Sequence, residues 1–163
     1  MRSGAQDSRR LPDQPAPPWS LAWHPRELDQ LCHQVAQWPP MTRAFKTRHF
    51  QRWMRKTELT DAALCKAVEE MAAGLVDADL GGGVLKKRVG LAGRGKRGGA
   101  RTLVATTKGN RWFFLFGFEK NERASISGQE LEGLQAIAAD LLARTGQQLE
   151  EAMADGTLQE ICL

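Results

Sequence analysis

The chain has no tyrosine, no proline after Pro40, and no aspartate or glutamate between Leu80 and Phe118. The first absence removes the phenol as an acid–base group. His49 is the only histidine beyond Met41, so no histidine pair is available there for general acid and base; on a short helix it reads as a surface or packing residue. The three cysteines, Cys32, Cys65 and Cys162, are odd in number, widely spaced and without a nearby histidine pair. That pattern argues against a disulfide framework and against a zinc site, and it points to a reducing cytoplasm. No apolar run reaches the roughly eighteen residues of a membrane helix, and the first residues lack the apolar core of a secretory signal. Neither a membrane partner nor export is indicated. The basic stretch has no acidic cage around it, so no metal and no cofactor is expected.

What is present divides at Met41. All seven prolines fall within residues 1–40, where they deny the backbone both helix continuity and sheet donors. Only His24 to Trp38 has helical spacing, through Leu28, Leu31, Cys32 and Val35. Residues 1–40 are read as a Pro-rich, disordered extension, with Met41 as the candidate native start. The alternative is a docking arm bearing Trp19, Trp23 and Trp38. Residues 41–163 carry the patterns of one folded domain, in a chain with 42% hydrophobic residues.

Within that domain Arg43 to Lys46 reads as a first strand. A helix follows in which Phe50, Trp53 and Met54 share a face while Arg48, Arg52, Arg55 and Lys56 point outward. A second helix, capped by Thr60 or Asp61, has Leu64, Val68, Met71 and Leu75 on one side. Gly81-Gly82-Gly83 ends the helical period. Val84 to Leu91, Arg101 to Thr107 and Arg111 to Phe118 then read as three consecutive strands, the last two joined by a tight turn at Lys108-Gly109-Asn110 with positive φ at Gly and Asn. Strict alternation puts Trp112, Phe114, Phe116 and Phe118 on one face of the last strand and Phe113 and Leu115 on the other. A strand apolar on both faces belongs in the middle of its sheet. Ser127 and Glu130 form a capping box with Ile126 and Leu131 as staple, and Thr145 with Gln148 repeats the box. Leu131, Leu134, Ile137, Ala138, Leu141 and Leu142 are the expected buried stripe, and Leu158 to Cys162 a last short strand or tail.

Charge is distributed unevenly. Residues 1–40 carry four basic and four acidic side chains, 41–79 seven and six, 80–118 nine and none, and 119–163 three and nine. The formal charge of +4 conceals this bipolarity. One-signed strands suit a surface that meets a polyanion, because each cation replaces condensed counterions at a phosphate. Lys86 and Arg88 alternate onto one face of their strand, Arg101 begins the next, and Arg94-Gly95-Lys96-Arg97-Gly98-Gly99 hangs further cations on a glycine-rich connection. Together they suit a phosphodiester, with Arg101 bidentate to its oxygens. The bland reading is a lysine-guarded sheet edge. Gly93 to Gly98 also matches G-x-G-x-x-G, but strand follows where the dinucleotide motif requires a helix N-terminus, so the match is false.

The order strand, helix, helix, three antiparallel strands, helix, together with Leu80 to Arg88, Arg101 to Ala105 and Phe114 to Arg123, resembles the RelE/HigB-type toxins of bacterial type II toxin–antitoxin systems, and within them the RelE-like cytotoxic branch of the RelE/ParE superfamily. The resemblance implies an α+β fold: an antiparallel sheet with two N-terminal helices and a C-terminal helical segment. It implies a ribosome-dependent mRNA endonuclease, neutralised by an adjacent antitoxin, often a helix-turn-helix protein through which the toxin also meets operator DNA. The family's catalytic basic residues fall on Lys86, Arg88, Arg101 and Arg123, and Lys87, Arg94, Lys96, Arg97 and Lys120 become RNA contacts. An aromatic acid–base residue that some relatives place near Ser127 is missing, so the general base is unassigned and Lys86 is a candidate for it. Two other classes stay open. ParE relatives share the fold but inhibit DNA gyrase, and a non-catalytic RNA-binding module would stack bases on Trp112 or Phe114, although alternating aromatics more often form sheet core.

Overall fold

The computed structural model describes residues 41–162, so the Pro-rich extension lies outside the described residues. Ten elements follow one another: β1 (Arg43–Thr47), α1 (Arg48–Met54), α2 (Asp61–Ala72), β2 (Ala78–Asp79), β3 (Val84–Leu91), β4 (Gly95–Thr106), β5 (Arg111–Glu119), α3 (Gly128–Ala143), α4 (Gly146–Ala154) and β6 (Leu158–Ile161). The six strands form one mixed sheet in the order β2-β3-β4-β5-β1-β6. The β3-β4-β5 run is antiparallel, while β1 joins β5 in parallel, as a strand reached through an intervening element does. This is an α+β fold with β5 inside the sheet, where its two apolar faces are both covered.

Two cores result. Helices α1 and α2 bury Phe50, Leu64, Val68 and Met71 against Ala44, Leu85, Val89, Val104, Trp112 and Phe114. Helices α3 and α4 bury Ala138, Leu141 and Leu149 against Phe45, Val84, Leu103, Ala105, Phe113 and Leu115 on the opposite face. Helix starts follow local chemistry. Thr47 caps α1, Thr60 caps α2, and the Ser127–Glu130 and Thr145–Gln148 capping boxes open α3 and α4.

Four sequence-based expectations are corrected. Cys65 and Cys162 are bonded to each other across 97 residues, with Cα atoms 5.4 Å apart, so the cysteine pattern no longer argues for a reducing compartment. Among the described residues no helix is long and apolar enough to cross a membrane. The turn after β4 takes its positive φ at Lys108 (61°), not at Gly109 or Asn110. The glycine-rich connection is mostly strand: the chain turns at Ala92 to Arg94, and β4 already begins at Gly95.

The fourth concerns β5. Leu103 pairs with Phe116 but Val104 with Phe114, so Leu115 is an extra residue. This bulge puts Leu115 and Phe116 on the same face and reverses the alternation beyond it. Phe116 and Phe118 therefore join the α3 face rather than that of Trp112 and Phe114. Gly117 turns to the other side, where Trp53 lies so close that a Cβ would fall 2.1 Å from its ring. The Thr47 hydroxyl holds the bulge, donating to the Phe114 and Leu115 carbonyls at 3.2 and 3.3 Å while it accepts from the Phe50 N–H.

Candidate nucleic-acid interface

Helix α3 does not cover its whole sheet face. Gln135 Nε2 donates to the Leu80 carbonyl at 3.1 Å, and Leu142 lies over Gly83, so the helix crosses at the start of β3. Its apolar stripe is buried only at Ala138 and Leu141; Leu131 and Leu134 are half-buried, and Ile137 is 50% exposed. Beyond the helix Arg88 is exposed and Lys86 and Arg101 are half-buried, while Phe118 at the end of β5 is buried beneath Arg123.

That end of the sheet carries the predicted cations. Arg88 pairs with Arg101, which pairs with Phe118, and one step along Lys86, Leu103 and Phe116 form the next cross-strand row. Leu103 belongs to the α3 core, so pleat alternation puts Lys86, Arg88 and Arg101 on that same face. Directly opposed strand residues have Cβ atoms about 4.5–5.5 Å apart, so Arg88 and Arg101 leave the sheet at neighbouring points. Arg123, from the loop after β5, spans the two aromatic rings, its Cζ lying 5.8 Å from the Phe116 centroid and 5.9 Å from that of Phe118. The four residues thus occupy one side of the sheet.

Two of them are anchored. Arg123 forms a bidentate pair with Glu130, both N–H···O distances being 2.9 Å, and Glu130 also accepts from the Ser127 N–H at 2.7 Å within the capping box. The Arg123 guanidinium, then the Ser127 N–H, lower the Glu130 pKa to about 2, so this carboxylate stays charged and fixes the guanidinium. Arg88 donates through Nε to Asp77 at 2.9 Å and through its backbone N–H at 2.6 Å. Burial works against the Asp77 charge, yet the Arg88 donors prevail and hold its carboxyl below the usual range. Lys86 and Arg101 are half-buried and have no carboxylate partner among the described residues.

Elsewhere four more of the nine cations are paired with acids in space and, among the described residues, Arg97 and Arg111 are not. Lys87 points to the α2 face, is 4% exposed, and meets Glu70 at 2.7 Å and the Leu75 carbonyl. It is not free to meet a phosphate. Lys96 also reaches Glu70, at 3.0 Å, Arg94 lies 3.8 Å from Glu58 and 3.6 Å from Glu119, and Lys108 is 3.0 Å from Asp79. Of the predicted RNA contacts, Lys87 is buried against its acid, Arg94 and Lys96 are exposed with acids beside them, and Arg97 and Lys120 are exposed and without an acidic partner among the described residues. An acid-free segment is not an acid-free surface, because the α1–α2 loop, α2, the α2–β2 connection, β2 and the end of β5 supply the anions.

His49 stacks on Phe116 with ring centroids 5.4 Å apart and planes 13° from parallel. It lines an open groove of about 350 Å³ with Thr47, Leu115, Phe116, Ile126 and Leu134. Sequence reading gave it only a surface or packing role. Without the bulge Phe116 would face the other core, and nothing else in the sequence links His49 to the cationic strands. Among the described residues no group of three histidines, cysteines or carboxylates is arranged to hold a metal ion.

No curated protein matches the chain significantly. A family model described as the RelE toxin of the RelE/RelB toxin–antitoxin system matches residues 42–161, which takes in every element from β1 to β6. The chain therefore belongs to the RelE toxin family and is a toxin of a toxin–antitoxin system.

Proposed function

We propose that this toxin is a ribosome-dependent mRNA endonuclease that stops translation by cutting the message. The observation that carries the reading is the open sheet face on which Lys86, Arg88 and Arg101 stand beside Arg123. In the proposed reaction the ribose 2′ oxygen attacks the neighbouring phosphorus and the P–O5′ bond breaks, leaving a 2′,3′-cyclic phosphate and a 5′-hydroxyl end. Negative charge accumulates on the non-bridging oxygens as the fifth bond to phosphorus forms. Arg101, half-buried and without a carboxylate to neutralise it among the described residues, is the group suited to stabilise that charge. Arg88 and Arg123, fixed by Asp77 and Glu130, hold the chain on either side of it, Lys86 completes the patch, and Arg97 and Lys120 add peripheral phosphate contacts. The ribosome supplies the message in an extended form and places the action in the cytoplasm. The partner is an antitoxin encoded alongside, a helix-turn-helix protein that brings the toxin to operator DNA.

The test is incubation of the protein with message on programmed ribosomes, with a gyrase supercoiling assay beside it. Cleavage with cyclic-phosphate ends supports the reading. Inhibition of supercoiling without cleavage favours a ParE-like inhibitor, and RNA binding without either favours a non-catalytic module.

A further inference from the structure

We propose that His49 is the general base of the cleavage reaction, taking the proton from the attacking 2′-hydroxyl. This inference rests on the endonuclease reading and assigns the role that the missing tyrosine leaves open.

Three observations lead to it. The imidazole is exposed, yet its position is built: Thr47 caps α1 and ties the β5 bulge to the same hydroxyl, which brings residue 49 over Phe116. The Phe116 ring is shared, since the Arg123 guanidinium lies 5.8 Å from its centroid and the imidazole 5.4 Å. A proton acceptor therefore borders the cationic face directly. The groove in front of His49, about 350 Å³ and walled by Leu115, Phe116, Ile126 and Leu134, has room for a ribose and its base.

Competing groups serve less well. Glu130 and Asp77 are committed to Arg123 and Arg88, and each would have to give up an ion pair to accept a proton. Lys86 stands in the cross-strand row of Leu103 and Phe116, among the cations proposed to meet the phosphate. Imidazole is the side chain that accepts and releases protons near neutrality. The charges around it are Arg48 on its own helix, Glu130 and Asp140 on α3, Arg144 just after α3, and Arg123 in the loop after β5. In the step itself, His49 accepts the 2′-hydroxyl proton as the oxygen bonds to phosphorus and the P–O5′ bond breaks. The departing 5′ oxygen takes a proton from water, and the imidazolium returns its proton to solvent.

The deciding experiment measures single-turnover cleavage of ribosome-bound message against pH for the full chain, His49→Gln and His49→Ala, with thermal melts to confirm that each is folded. The wild-type rate rises with pH, as a step that consumes an unprotonated base requires. In both variants the maximal rate falls about 10²- to 10⁴-fold, the rise with pH disappears, and the half-saturating ribosome concentration stays within about threefold. Either variant keeping the wild-type rate, or losing rate while keeping the same rise, overturns the assignment of His49 alone. Absence of cleavage by the wild type overturns the endonuclease reading and this inference with it.

Discussion

The two faces of the sheet treat the same residue types in opposite ways. Toward α2, Lys46 and Lys87 are buried and matched, Lys46 to Asp61 at 2.6 Å and Lys87 to Glu70 at 2.7 Å. Both carboxylates belong to α2, so the two lysines fasten that helix to the strands. Toward α3, Arg101 is half-buried without a carboxylate of its own, and its neighbours Arg88 and Arg123 are fixed by acids yet remain beside it on an open surface. Adjacent residues of β3, Lys86 and Lys87, thus serve different ends because the pleat sends them to different environments. A buried cation whose partner is in place supports the fold, whereas an open cation with no partner is available to a ligand.

The comparison breaks most readily at Arg101. Arg101→Ala is expected to lower message cleavage about 10²- to 10³-fold, because the proposed mechanism gives it the charge that develops on the phosphate oxygens, while the melting temperature stays nearly unchanged. Lys87→Ala should do the reverse, destabilising the protein by about 3 kcal/mol in denaturant titration, since it leaves Glu70 partly buried with Lys96 as its remaining partner. Cleavage per folded molecule should persist. Reducing the Cys65–Cys162 bond, which joins α2 to the residue after β6, should cost about 2–4 kcal/mol of stability, read from melts with and without reductant. Gly117→Ala, which pushes a methyl group into Trp53, should cost about 1–3 kcal/mol and loosen Phe116 as well.

A pH titration sharpens the same contrast. Lys87 first, then Lys96, hold the Glu70 carboxyl down to about 2, below its unfolded value. Its stabilising contribution is thus complete above about pH 4.5, the ordinary range of a glutamate, and disappears as the pH falls through about 2. Glu70→Gln should flatten that part of the stability curve, as followed by circular dichroism. An unchanged acid limb would show that the buried pair contributes little.

Much of this architecture was legible where its cause is local. Capping boxes operate within four residues, so Ser127 with Glu130 and Thr145 with Gln148 located two helix starts, and the doubly apolar β5 announced its interior position. The unreadable parts depend on distant chain. Leu115 became a bulge residue through its pairing with β4 and the Thr47 hydroxyl, and the parallel docking of β1 leaves no mark on its own five residues. The acids that offset the basic run come from Glu58, Glu70, Asp77, Asp79 and Glu119, all outside it in sequence. Of the candidate site, the shared face of Lys86 and Arg88 followed from period-two alternation. The exclusion of Lys87 followed from the same rule, once the buried side of the strand was known. His49 became visible only through the bulge.

The most direct test sets Arg101→Ala and Lys87→Ala side by side in one ribosome-bound message cleavage assay, each normalised to its folded fraction. The account predicts that Lys87→Ala cuts at close to the wild-type rate while Arg101→Ala is at least about a hundredfold slower. Equal rates for the two, or a larger loss at Lys87, would contradict the division of the sheet into a structural face and an RNA-cleaving one.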